Sequence, residues 1–539
     1  MPVSRSEGWD YLIITAANDQ QATAYRLQVQ TRRENKELRD VRNILVVPDA
    51  GGQRVGSGGS TIHCLLEVLR RESEVQDHAF DFGLAAQALR DLRVLIVHAG
   101  GDSRRLPAYS PCGKIFVPLP VEKMNGVTST LFDRLVASFL RLPQGPPGNG
   151  QIVIASGDAL ILFDSSGLSF SGEGITALGA RVSPEVAARH GVLCPDKKGA
   201  IRLFLQKPSV REQAKTGAIG PGGQSVLDIG VMSMDAGTAA QLLLAFGTTA
   251  ARSAIMSYGI DLYCEICCAL GTEATFEHYL ASTRSSGSKL GEPALREIFS
   301  ALRPIPFNLQ ALDKCDFLHF GSTRQLITSG IDLFTLDRGE PPYQGILAMT
   351  NELGTSGQIN GRDCWVEGCR VYAPLSLRQR NVIVGVDVGE PLALPEGACL
   401  DIMPGFDRRD QAVWFVRYYG VNDTFKHAVG KDASFCNAKL GDWLQRVGAD
   451  TRRIWDDATP KNQQTLWNAR VFPAEKEHQG YRQWSWMLDV NSATPSQKRR
   501  FLDADRYSSA EIAARVNHAG FHQRRAAIQH NSGPLAGEP

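Results

Sequence analysis

The sequence predicts an α/β fold that gives way to a β-helix-like all-β region and then to a helical C-terminal tail. Three observations carry this. Short apolar runs alternate with helical-period segments over the first 340 residues, and each run ends on a loop bearing Gly or Asp. After about residue 340, short strands broken by Gly and turns replace that alternation, without a strict hexapeptide period. From about residue 434 the chain turns Trp-rich and helical in pattern. The expected division is 1–340, 341–433 and 434–539, in keeping with a length of 539 residues, too many for one core.

Taken in order, WDYLIITAA is a run short enough for a buried strand, and AYRLQVQTRRENKELRDVRN is polar and helical. NILVVPD predicts a second buried strand. The Gly-rich GGQRVGSGGS then leads into TIHCLLEVLRRE, whose apolar residues recur at helical spacing. The grammar repeats with a helix ending LAAQALRD, the strand RVLIVHAGG and the strand QIVIASGD. A largely parallel sheet follows from this alternation, with ligands expected at the carboxyl ends of its strands. Further on, QAVWFVRYYGVND reads as a strand, while DWLQRVG, TLWNARVFP and YRQWSWML read as helical. RYSSAEIAARVNHAGFHQRRAAI is expected to form one terminal helix capped by Ser508 or Ser509, and HNSGPLAGEP to be disordered.

Composition excludes several function classes. Hydrophobic residues make up 43% and charged residues 21%, a globular profile. Lys+Arg at 58 against Asp+Glu at 57 gives +1, so no global field recruits nucleic acid or a membrane surface. No apolar run approaches the ~18 residues of a membrane helix. The opening MPVSRSEGWDYLIITAAND lacks the plan of a signal peptide, and a cytoplasmic protein is expected. Eleven cysteines, an odd number, form no disulfide framework. Cys264, Cys267 and Cys268 lack a partner motif at zinc spacing and read as core thiols, as do Cys364 and Cys369, in a reduced intracellular protein.

The strongest chemical signal is VLIVHAGGDSRRLPAYSPCGKIFVPLP, residues 94–120. Gly100 and Gly101 let backbone N–H groups approach a phosphate, and successive N–H groups make an anion nest. Ser103 and Arg104 share that loop. Arg104, Arg105 and Lys114 supply the positive charge that a polyphosphate and a pyrophosphate leaving group require. The competing reading is a tight turn with a solvated basic patch. A second Gly-rich loop, VGSGGST, places Gly56, Gly58, Gly59 and Ser60 before a helix, where N–H groups and the helix dipole can face phosphate or base. Its plain alternative is a strand-to-helix connection. Asp158 follows a buried strand through Gly157, a position suited to Mg²⁺ shared with phosphate oxygens or to a helix N-cap.

The 94–120 string resembles the signature of sugar-1-phosphate nucleotidyltransferases: Ala99-Gly100-Gly101 as the Gly-rich loop, Arg105-Leu106, then Lys114 before a hydrophobic-Pro-Leu segment. Two departures stand out, Ser103 where glycine is common and Gly113 where proline usually precedes the lysine. With the 55–61 segment, the sequence is similar to the L-fucose-1-phosphate guanylyltransferase (GDP-L-fucose pyrophosphorylase) family, including the N-terminal half of bifunctional fucokinase/guanylyltransferases. The likeness runs from WDYLIITAA through YYGVNDTFK to TLWNARVFP.

That resemblance implies a Rossmann-like, GT-A-like nucleotidyltransferase domain that converts GTP and L-fucose 1-phosphate into GDP-L-fucose and pyrophosphate, with Mg²⁺ as cofactor. It makes Arg105 and Lys114 catalytic, the two Gly-rich loops nucleotide-binding and Asp158 the metal ligand. His190-Gly191-Val192 resembles the family's sugar-pocket segment. Lys207, in FLQKPSV, resembles the lysine of a Glu-Lys-Pro motif, with Gln206 in place of Glu, and would meet the sugar phosphate. Asp228 would read sugar hydroxyls. In DFLHFGSTRQL, His319 stands where relatives place a second metal-binding aspartate, with Asp316 three residues earlier. Imidazole suits hard Mg²⁺ poorly, so His319 is expected to hydrogen-bond a phosphate or sugar hydroxyl, and the second metal ligand stays open. The family kinase's own phosphate loop has no counterpart after residue 340, so a separate fucokinase is the expected partner. The rival readings are a transferase for another sugar 1-phosphate and a catalytically silent sugar-nucleotide scaffold.

Overall fold

The computed structural model describes residues 8–531 apart from 73–81, 121–128, 171–172, 247–248, 340–342 and 431. It is a mixed α/β protein whose chain divides into two compact units interleaved along the sequence. The first takes the described residues up to Ala22 together with Lys36–Gly101 and Arg134–Phe317. The second takes Thr23–Asn35, Asp102–Asp133 and the chain from Leu318 onward. The sequence reading, by contrast, cuts the chain at 340 and 433.

The first unit is built on β1 (Trp9–Ala16), β2 (Val41–Pro48), β3 (Arg93–His98), β4 (Gln151–Ser156), β5 (Ala159–Phe163), β6 (Ile175–Val182), β7 (Gly191–Pro195), β8 (Ile201–Gln206), β9 (Ser225–Met234) and β10 (Phe307–Leu312). All but β5 join one sheet, in the order β10-β6-β9-β4-β3-β1-β2, with β7 attached to β9 and β8 to β7. The strands β2, β1, β3 and β4 pair in parallel, as expected. The pairs β4·β9, β6·β9, β7·β8 and β7·β9 are antiparallel, so the sheet is mixed rather than largely parallel. The connection of a few residues between β7 and β8 permits only an antiparallel hairpin. β1, β3 and β4 are covered on both faces, hence their unbroken apolar runs. β2 lies at the sheet edge and is only half-buried through its middle, which corrects its reading as a second buried strand. The helix Gly56–Glu72 buries Leu65 and Val68 in a core shared with Ile96, Ile154 and Leu242. The pairs Ala16↔Pro48, Ile14↔Val97 and His98↔Ser156 bring the carboxyl ends of β1–β4 level. The loops carrying Asn18, Asp49, Gly100 and Asp158 therefore leave from one edge.

In the second unit, three parallel ladders run side by side in sequence. One takes Ile346–Met349, Cys364–Glu367, Val382–Val384 and Ala398–Phe406. The second takes Glu352–Leu353, Arg370–Val371 and Asp387–Val388, and the third Ile359–Arg362, Leu375–Gln379 and Leu392–Ala393. The partners Ile346↔Cys364, Trp365↔Val382 and Val382↔Cys399 are 17 or 18 residues apart. Each circuit of the chain thus lays one strand on each ladder, and the repeat lies in the circuit rather than in a hexapeptide. Val366, Val371, Leu375, Val384 and Val388 are buried.

Ala398–Phe406 turns back as an antiparallel hairpin with Ala412–Gly420. Phe472–Glu475 and Arg506–Tyr507 extend the same sheet, so the region read as helical also contributes strands. TLWNARVFP runs into one of these, because Phe472 pairs with Tyr507 and is buried in the sheet. YRQWSWML lies in the 3₁₀ segment His478–Leu488. The single terminal helix is two. Ser508 caps Ser509–Arg515 with a reciprocal Glu511 contact, Val516 is extended, and Asn517 accepts from the Gly520 N–H to open His518–Asn531. His530 and Asn531 close that helix, and the rest of HNSGPLAGEP lies outside the described residues. All eleven cysteines are free thiols, and Cys264, Cys267, Cys268, Cys364 and Cys369 are buried. Among the described residues, no helix is long and apolar enough to cross a membrane.

Candidate active site

At the level edge of the first unit, the paired glycines are set by β1 and by the helix that follows it. The hydroxyl of Thr15 accepts from the Ala99 N–H at 3.1 Å and the Gly100 N–H at 3.2 Å. Gln21 donates to the Gly101 carbonyl at 2.9 Å and accepts from the Ala17 N–H at 2.7 Å. Gly101 has φ +139°, which side-chain-bearing residues rarely adopt, so glycine is required there. The turn is thus held before any ligand arrives, and the Gly100 amide is directed to Thr15 rather than outward.

The second Gly-rich loop corrects an expectation in the same way. The N–H groups of Gly58 and Gly59 both donate to the Ile260 carbonyl, at 2.9 and 3.1 Å. A Cβ at Gly56 would run into that same carbonyl. The Ser60 hydroxyl donates to Asp49 at 2.6 Å, and Ser57 donates to Asp261 at 3.1 Å. These glycines therefore admit a neighbouring backbone, and in this structure their amides do not form a phosphate nest. One turn on, Thr61 bonds the ring of His98 at 3.0 Å. Burial pulls the His98 imidazole down to about 4, so it is neutral at physiological pH.

Further along the unit, Asp158, Asp228, Gly191, His190 and Lys207 are strung together through shared neighbours. The Ser156 hydroxyl donates to Asp158 at 2.9 Å. Gly230, at φ +76°, sits where a Cβ would stand 2.9 Å from the Ser156 Cβ and 3.2 Å from the Tyr263 hydroxyl, and its N–H donates to Asp228 at 2.9 Å. Burial pushes the Asp228 carboxyl up to about 7. Burial, then the Asp228 charge, and more weakly Asp158, hold the Tyr263 phenol well above its usual range. A Cβ on Gly191 would lie 2.5 Å from Phe204 and 3.4 Å from the Asp228 Cβ, so glycine keeps bare backbone beside that carboxyl. Lys207 donates its N–H to the His190 carbonyl at 2.9 Å and adopts φ +50°, a strained left-handed conformation of the kind that collects at functional sites. The His190 ring meets Phe317 edge-on at 5.5 Å.

Among the described residues, no group of three or more His, Cys, Asp or Glu side chains could hold a metal ion. One carboxylate with a neighbouring hydroxyl, as at Asp158 and Ser156, fits Mg²⁺ that draws its other oxygens from phosphate and water.

The signature string passes into the second unit at Asp102. Ser103 takes φ +49°, the conformation glycine adopts freely, which accounts for glycine being common at its place. Its hydroxyl accepts from the Lys114 N–H at 3.3 Å, and its carbonyl from the Leu106 N–H at 2.8 Å. Gly113 has φ +73°, closed to proline, and a Cβ there would strike the Tyr25 ring. Arg104 pairs with Asp102 at 2.7 Å within its own loop, so its charge is partly offset there. Arg105 is exposed, and its carbonyl accepts from the Thr323 N–H at 3.1 Å. Its guanidinium lies 3.4 Å from where a Gly321 Cβ would stand. Gly321 immediately precedes Ser322, the cap of helix Thr323–Arg338, so the guanidinium and the positive helix end lie together. Ser329 bonds the His319 carbonyl at 2.6 Å, which holds DFLHFGST onto the same helix. A family model described as the Fucose pyrophosphorylase domain matches residues 86–477.

This chain belongs to the fucose pyrophosphorylase family. It is 25% identical to the bifunctional fucokinase/GDP-fucose pyrophosphorylase of Arabidopsis thaliana, over 95% of this chain and 51% of that protein. It is 26% identical to the L-fucokinase/L-fucose-1-P guanylyltransferase of Bacteroides fragilis, over 87% and 46%. With the fucose-1-phosphate guanylyltransferase of Mus musculus it shares 27% identity over 60% and 57%. The chain spans about half the length of the curated relatives it matches. Every candidate residue from Gly100 to His319 falls inside the matched domain, while the 56–60 loop precedes it.

Sequence reasoning missed Thr15, Gln21, Tyr25, Tyr263 and Gly321. Thr15 carried a usable signal, a polar residue closing an apolar strand. Tyr263 lay in the string read only for its cysteines. Asp228 yields a measurable consequence. Its folded carboxyl titrates near 7 against about 3.9 in an unfolded chain, so protonation favours the native state. The resulting stability is complete below about pH 4 and is lost as pH rises to about 7. Comparing denaturant midpoints of the wild type with Asp228→Asn should show a relative loss of order 4 kcal/mol across that window. A pH-independent difference would show that the carboxyl ionises normally.

Proposed function

We propose that this chain transfers GMP from GTP to L-fucose 1-phosphate, giving GDP-L-fucose and pyrophosphate. The observation that carries the reading is the placement of Arg105 beside Gly321 and the capped helix start, on the loop that also carries Lys114. Membership of the family supplies the base and the sugar. A sugar-phosphate oxygen attacks the α-phosphorus of GTP in line. The new P–O bond forms as the bond to the β-phosphate breaks, and the pair of electrons leaves with pyrophosphate.

Arg105 and Lys114 neutralise the triphosphate and the departing pyrophosphate. Gly100, Gly101, Ser103 and Arg104 are assigned to the nucleotide, and Gly56, Gly58, Gly59 and Ser60 support their own loop by close packing. His190, Lys207 and His319 meet the sugar phosphate, and Asp228 reads a sugar hydroxyl against the bare backbone of Gly191. Asp158 would hold Mg²⁺, oriented by Ser156, and the ion would supply further charge neutralisation. The β1–β4 half of the sheet supports a Rossmann-like, GT-A-like domain, and the three parallel ladders support a β-helix. The three-part division at 340 and 433 describes the functional regions, and a separate fucokinase would supply the sugar phosphate.

Pyrophosphate release measured across four nucleoside triphosphates and several sugar 1-phosphates tests the assignment. GTP with L-fucose 1-phosphate should have the highest kcat/KM, and a better pair would overturn it. Asp158→Asn should raise the Mg²⁺ concentration needed for half activity, while His319→Ala should raise mainly the KM for the sugar phosphate. A Mg²⁺ titration that moves only for His319→Ala would reverse these roles.

A further inference from the structure

We propose that Tyr109, Glu367 and Arg525 form a positioning device through which the parallel ladders and the terminal helix hold the signature segment in register. The proposal rests on the functional reading above, which gives Arg105 and Lys114 their work. Tyr109 lies between them, on the fully buried turn Pro107–Tyr109. Its hydroxyl donates to Glu367 at 3.1 Å and accepts from the Trp365 indole N–H at 2.8 Å. Glu367 is fully buried on the ladder strand Cys364–Glu367. Arg525, from helix His518–Asn531, donates to both its oxygens at 2.7 and 2.6 Å. This two-pronged pairing fixes the direction of the buried carboxylate.

Two further bonds restrain the same stretch. Arg417 donates to the Pro107 carbonyl at 2.7 Å, and the Thr323 N–H reaches the Arg105 carbonyl at 3.1 Å. A buried polar network is a costly way to fill a core, and apolar packing of the same volume would desolvate nothing. Its directional bonds instead select one placement of the turn, where apolar contacts would tolerate several. The end of the chain thereby reaches the transfer chemistry, since Arg525 lies beyond the residues 86–477 that the family domain covers. Glu367, Tyr109 and Arg525 act as positioning residues, because the groups set in place are Arg105 and Lys114.

The experiment combines Tyr109→Phe, which keeps the ring and deletes the hydroxyl, with Arg105→Ala in a double-mutant cycle on the full chain. Wild-type turnover of GTP and L-fucose 1-phosphate comes first, and its absence retires the functional reading itself. Tyr109→Phe should lower kcat about 10-fold with KM nearly unchanged, since misplacement of a transition-state charge acts on kcat. In the Arg105→Ala background the same change should cost less, about 3-fold, because only Lys114 remains to place. Arg525→Lys keeps the charge, loses the fork and should fall between wild type and Tyr109→Phe. Arg470→Met, which breaks an ion pair with Glu511, controls for plain destabilisation and should lower the melting temperature without lowering kcat. The positioning role is overturned if Tyr109→Phe keeps wild-type kcat, or if it costs the same factor with and without Arg105.

Discussion

Arg105→Ala and Lys114→Ala are each expected to reduce turnover about 10²–10³-fold, the usual cost of removing one positioned transition-state charge. The turn is held through backbone groups at both residues. The Arg105 backbone is held through its carbonyl by Thr323, and the Lys114 backbone through its N–H by Ser103. Arg105 is exposed and Lys114 half-buried, so truncation opens no sizeable core cavity. The loss should therefore appear in kcat with an unchanged melting temperature. Steady-state rates that match the wild type in both variants would remove this loop from the triphosphate.

Arg417→Met is expected to destabilise the second unit by about 3–5 kcal/mol, because it strands a buried charge. Arg417 and Asp401 are fully buried and pair at 2.7 Å across the hairpin Ala398–Phe406/Ala412–Gly420. Burial raises the Asp401 carboxyl, and Arg417 pulls it back down. Without the guanidinium, Asp401 is driven toward its neutral form, so the penalty should shrink as pH falls. The double variant Arg417→Met/Asp401→Leu should recover most of the stability, since an apolar pair of similar volume often equals a buried ion pair. Denaturant midpoints at pH 8 and pH 5 decide the matter. A single variant that loses less than about 1 kcal/mol at pH 8 would show that the pair contributes little.

Much of the first unit was legible as pattern. Strands β1, β3 and β4 read clearly because covering both faces demands unbroken apolar residues, and the loops after them carried the Gly and Asp signals. The edge strand β2 looked the same in sequence, and only its place at the sheet edge left its middle half exposed. The ladders were visible as Gly-broken short strands, while their circuits of 17 or 18 residues were too irregular to count. The C-terminal region was misread where burial in a sheet overrode helical pattern, as at Phe472–Glu475.

The sequence by itself determined which charges the chain offers and where backbone freedom is needed. Arg105 and Lys114 follow a paired glycine, and Gly101 and Gly113 sit at conformations that glycine adopts without strain. The tertiary structure alone decided what each donor meets. The Gly58 and Gly59 amides went to Ile260, the Gly100 amide to Thr15, and the Tyr109 hydroxyl and Arg525 guanidinium to the Glu367 carboxylate. A hydrogen bond is short and directional, so its partner is whichever group folding brings within about 3 Å. Local periodicity records burial along one element and carries no account of which distant residue will arrive there.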